Sequence, residues 1–201
     1  MDISVFVLLI VAGAYALKSV EQRRRIARLG TYLRGYQLEK LMEGLTSGYL
    51  RALGEDDPER STPIWRMLES TEENLAAQLE RLAKDIRGMD DADARVSTLA
   101  LALPLAGRLF PGASFDLRQA IAIHAQGFAD LARNPQGLGR KQQAFMLSAE
   151  LFLFQHTCHW YCRSKAVASA RMQVRHQTPY AQVLGSVSPA TRQAYSALLG
   201  R

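Results

Sequence analysis

AFMLSAELFLFQHTCHWYC, residues 144–162, is apolar almost all the way round a helical wheel. A helix of that kind is either the centre of a helical core or a membrane span. Glu150, Gln155, His156 and His159 interrupt it, and each is costly in lipid unless paired. The stretch therefore reads as a central core helix, extended by its flanks from Arg140 to about His176. Around it, Ala, Leu, Arg, Gln and Glu dominate and β-branched runs are scarce, so the chain reads as all-α. At 201 residues and 48% hydrophobic, it can bury a sizeable core.

The second apolar stretch is ISVFVLLIVAGAYAL, residues 3–17, which carries no charge. It is short beside the roughly 20 residues a bilayer needs, but Lys18 can snorkel and Ser19–Val20 can extend it. Ala14-Tyr15-Ala16 resembles a signal cleavage site. The basic residues, however, lie after the apolar run and not before it. Arg23, Arg24, Arg25 and Arg28 are thus the expected membrane-surface contacts. They place the N-terminus outside and the remainder in the cytoplasm, as a single-pass signal-anchor protein. The expected organisation is an anchor over 1–20, a basic juxtamembrane helix over 21–54, and a helical bundle over 55–201. With the anchor set aside, five to seven helices are expected.

The net charge of +6 is unevenly spread. Residues 1–54 carry eight basic and four acidic side chains, residues 55–95 six and twelve, and residues 96–201 eleven and three. Segregated charge of this kind suits docking between segments or onto partners.

The remaining elements are expected as follows. A helix continues from the anchor to about residue 53, where Gly30, Gly35, Gly44 and Gly48 either admit a neighbouring helix or mark bends. Thr62 caps a helix that opens at Pro63 and restarts at Ser70–Glu73. Residues 96–112 form a buried helix with a kink or break near Pro104. Ser114 caps the next helix, a turn follows at 134–139, and Ser188-Pro189 opens the last helix.

Within FQHTCHWYC, residues 154–162, two histidines and both cysteines fall within seven positions. Cys158 and Cys162 share a helical face with His159 next to it, but a closed zinc site needs at least one further ligand from elsewhere, and the candidates lie too far away. Cytoplasmic thiols also stay reduced. The segment reads as the polar seam of a bundle, with no metal or cofactor expected. A hairpin about residue 137 puts His124 level with residues 149–150, so His124 and Glu150 are the one suggestive catalytic pair. A structural role is preferred for them, and no catalytic residues are assigned.

Arg163, Lys165, Arg171, Arg175 and His176 scatter round the wheel, which does not favour nucleic-acid binding. The expectation is a membrane-anchored, non-catalytic interaction or scaffold subunit, with the bilayer and a protein partner or second copy as its contacts. The alternatives are a tethered metal- or His/Glu-dependent enzyme domain, and a tethered nucleic-acid binder.

Overall fold

A computed structural model describes residues 3–100 and 103–200. The chain is all-α, with two three-residue strands among the described residues. Helix α1 (Ile3–Leu33) is long and apolar enough to cross a membrane, and none of its most apolar window is buried. It runs through residue 20 without a break, and Leu29 is its one buried residue.

The chain bends at residues 34–37, where Gly35 stands, and the backbone N–H of Gln37 donates to the Gln78 side chain at 2.8 Å. The helix expected to continue from the anchor to residue 53 is therefore two helices. Helix α2 (Leu38–Leu53) buries Leu38, Met42, Leu45, Tyr49 and Ala52 on one face. Gly48 lies against Leu68, while Gly30 and Gly44 have open space where a Cβ would be. One glycine thus admits a neighbouring helix, one marks the bend, and two do neither.

Helix α3 (Pro58–Asp85) returns antiparallel to α2. It starts five residues earlier than expected, because Asp57 caps it by accepting from the Glu59 N–H and Pro58 opens it. The Thr62 hydroxyl donates back to the Pro58 carbonyl at 2.7 Å and caps nothing. Ser70 donates likewise to Met67, so the helix does not restart there.

The buried helix expected over 96–112 does not form. After one helical turn, α4 (Asp91–Ala94), strand β1 (Arg95–Ser97) pairs antiparallel with β2 (Ser114–Asp116), Val96 opposite Phe115. Between them stands a single turn, α5 (Ala106–Leu109). Pro104 offers no N–H, and Leu105 sits in the left-handed region at φ 58°, so a helix cannot propagate through the pair. Residues 101–102 of that expected helix lie outside the described residues. Ser114 belongs to β2, and Asp116 caps α6 (Leu117–Arg133).

Helix α7 (Arg140–Cys162) is the central helix, but it does not reach His176. The Ser164 backbone is extended, and its hydroxyl accepts from the Val167 N–H to open α8 (Lys165–His176). Helix α8 folds back along α7, stacking His176 on Phe152 at 3.8 Å. Helices α9 (Tyr180–Ser186) and α10 (Pro189–Leu198) close the bundle, with Ser188 capping α10 through the Thr191 N–H. Leaving out the single turns, seven helices follow α1 among the described residues.

Arg25 near the root of α1 lies over the Tyr161 ring at 5.3 Å and donates to the Tyr161 carbonyl. The C-terminal end of α7 is therefore proximal to α1, and its N-terminal end is distal.

Candidate functional site

The polar residues of FQHTCHWYC and its surroundings form a buried seam. Thr157 donates its hydroxyl hydrogen to the Leu153 carbonyl at 3.0 Å. Its lone pairs then receive His124 Nε2–H and the Tyr195 hydroxyl, each at 2.8 Å. That assignment fixes the His124 tautomer and leaves Nδ1 as a buried acceptor without a partner. Burial, reinforced by His156, holds the imidazole neutral by lowering its pKa to about 3.

Glu150 goes elsewhere. Its Oε1 accepts from the Ser188 backbone N–H at 3.1 Å, beside Gly127. Burial raises the carboxyl to about 7, against the lowering by Thr191 and Ser188. His124 and Glu150 therefore do not form the pair suggested by the hairpin register. Side chains on α6 tilt towards its N-terminus, which carries His124 past Glu150 to the level of Phe154 and Thr157.

His156 Nε2 meets the Ser169 hydroxyl at 3.0 Å, and its ring lies 4.6 Å from that of Tyr180. Burial, then Lys165, lowers its pKa to about 3. His159 faces Arg171, and Trp160 donates to the Ser97 carbonyl at 2.8 Å, tying α7 to β1. Cys158 and Cys162 are free thiols, partly buried. Burial raises Cys162 to about 11 and Cys158 further. Among the described residues, no three of His, Cys, Asp and Glu group closely enough to hold a metal ion.

Two surfaces remain. The basic cluster splits between protein and solvent. Arg24 and Arg28 both bond Asp93, at 2.9 and 2.6 Å, and Arg25 bonds Glu21 at 2.9 Å. Arg23 and Arg24 are exposed, whereas Arg25 is half-buried on Tyr161.

At the distal end, α2, α7 and the turn after α8 frame an apolar groove of about 470 Å³. Leu50, Leu53, Phe145 and Phe152 line it, with Arg175 and His176 at its edge. Leu50 is 71% exposed and Phe145 58%, so these side chains lack the cover that the core gives their neighbours. Sequence reasoning missed the groove, because only the fold-back of α8 supplies its third wall.

It also missed Glu72, which is buried against Tyr49 and Arg140. The available signal was a carboxylate at the buried position between Leu68 and Leu75 on the apolar face of α3. No known protein family, curated protein or solved structure matches this chain.

Proposed function

We propose that this chain is a membrane-anchored, non-catalytic interaction subunit, whose distal groove holds an amphipathic helix of a partner protein. The observation that carries the reading is the groove: large apolar side chains stand uncovered between α2, α7 and the turn after α8, at the end of the bundle away from α1. Such grooves take helices through apolar anchors spaced three and four residues apart. Arg175 at the edge suits a partner helix with a carboxylate beside its apolar face. Among the buried polar groups, His124 and Tyr195 both bond Thr157 and Glu150 accepts from the Ser188 backbone, which gives each a structural part in holding α6, α7 and α10 together.

The anchor part of the reading rests on α1. Its apolar length suits a single span, and the arginines after it favour an outside N-terminus and a cytoplasmic bundle. Arg23 and Arg24 lie within about 10 Å of Leu17 along the helix, close enough to meet anionic headgroups. Arg25 and Arg28 extend the basic patch while holding the bundle to α1.

The test is native mass spectrometry of the full chain extracted in mild detergent. A defined assembly is expected, reduced to the single chain by Leu50→Glu with Phe145→Glu while helicity and Tm are kept. A lone chain from the unaltered protein refutes the reading. An assembly that survives both substitutions refutes the groove as its seat.

A further inference from the structure

The chain between β1 and β2 crosses the end of the bundle that lies beside α1. Leu103, Leu105, Leu109 and Phe110 are 49, 44, 65 and 48% exposed there, four large apolar side chains within eight residues. Exposed apolar residues this close together mark an interaction surface.

This loop is fastened to α1. Glu21 accepts the Leu105 N–H at 2.9 Å through one carboxylate oxygen and holds Arg25 with the other. Leu17 and Val20 share a recess with Pro104, Leu105 and Gly107. The left-handed backbone at Leu105 is one that leucine keeps only where its surroundings hold it, and the Glu21 bond is such a hold.

Depth follows from the helix. Glu21 is four residues beyond Leu17, about 6 Å along the axis. The headgroup layer on each side of the hydrocarbon core is about 5–8 Å thick. An apolar loop held at Glu21 therefore stands at headgroup depth. Leu17 and Val20, the last apolar residues of α1 before its run of arginines, make its surface continuous with the span. Lys18 and Arg24 supply positive charge beside it.

We infer that residues 103–110 form a second, interfacial contact with the bilayer, seated at the boundary between headgroups and acyl chains of an anionic leaflet. The inference rests on the reading of α1 as a span. A helix alone lets the domain swivel and tilt, whereas two contacts fix it and point the distal groove away from the membrane.

A photo-crosslinking residue tests this in the full chain, reconstituted in phosphatidylcholine–phosphatidylglycerol nanodiscs. It is placed singly at Leu8, Leu109, Phe110 and Phe145, with adducts read by mass. Lipid adducts are expected at Leu8, Leu109 and Phe110, and none at Phe145. Lipid at Leu8 without lipid at Leu109 or Phe110 overturns the loop contact and leaves the span standing. No lipid at Leu8 overturns the span and the inference with it. A protein adduct in place of lipid at Leu109 and Phe110, from a second copy or the same chain, also overturns it. Unchanged thermal unfolding of each variant, expected at such exposed positions, shows that the fold is kept.

Discussion

Tyr49 donates its phenolic hydrogen to Glu72 at 2.8 Å, inside the contact between α2 and α3. Arg140, the first residue of α7, reaches the same carboxylate at 3.1 and 3.2 Å, and its guanidinium lies over the Trp65 ring at 5.1 Å. One buried carboxylate thus joins three helices. Removing the cation strands the anion, so Arg140→Met should cost about 2–4 kcal/mol. Adding Glu72→Leu and Tyr49→Phe should recover most of that loss, since an apolar set carries no desolvation penalty. Urea unfolding followed by helicity checks both. A triple variant as weak as Arg140→Met would show that the three groups are not energetically joined.

At Gly127, α6 packs closely against Thr191 of α10 and Glu150 of α7. A Cβ there would lie 2.0 Å from Thr191 Oγ1 and 3.2 Å from a Glu150 oxygen. Neither neighbour can withdraw without losing its bond near Ser188. Gly127→Ala should destabilise by about 1–3 kcal/mol or more. Gly44→Ala meets open space in mid-helix and should stabilise by up to about 1 kcal/mol. Opposite shifts in Tm are the expected pair of results.

The apolar spacing of 38–53 and 68–82 made those helices and their buried faces legible, because burial repeats with the helical turn, whereas 144–162 was legible as a central helix because it is apolar nearly all round. Boundaries failed where one side chain decided between two hydrogen-bonding options. Thr62 and Ser70 bond backward within α3, whereas Ser164, with nothing in the sequence to set it apart, starts a new helix. Residues 96–112 misled for another reason. Leu103, Leu105, Leu109 and Phe110 are exposed at the proximal end of the bundle, and composition cannot tell such side chains from core. In the seam, the type of residue was readable but the partner was not. His124 finds Thr157 and Tyr195, and the second lies 71 positions away on α10.

Cys158 and Cys162 should be inert in the folded chain. Burial raises Cys162 to about 11, against about 8.5 for a free thiol, and Cys158 further. Thiolate is the reacting form, so alkylation by iodoacetamide at pH 7.5 should run at least about a hundredfold slower than for free cysteine. Cys158 should be the slower of the two, and urea should equalise them. Rapid native labelling at either site would mean that α7 opens at its proximal end.

The pH dependence of stability should turn on Glu150 and the two buried histidines, which act in opposite directions. Burial raises Glu150 from 4.5 to about 7, so the folded chain holds its proton more tightly than the unfolded chain does. Its contribution is complete below about pH 4.5 and is lost as pH rises through about 7. His124 and His156 fall from 6.5 to about 3, so their contributions are complete above 6.5 and are lost as pH falls towards 3. Between 4.5 and 6.5 two histidines oppose one carboxyl, and net stability should decline into acid with its maximum near neutrality. The carboxyl is isolated by comparison with Glu150→Gln, which keeps an acceptor for Ser188 and cannot ionise. Relative to that variant, the unaltered chain should lose roughly 3 kcal/mol between pH 4.5 and pH 8, and nothing further above it. Urea midpoints across that range measure the difference. A constant difference would mean that Glu150 ionises in the fold as readily as in water, and that water reaches it between α7 and α10.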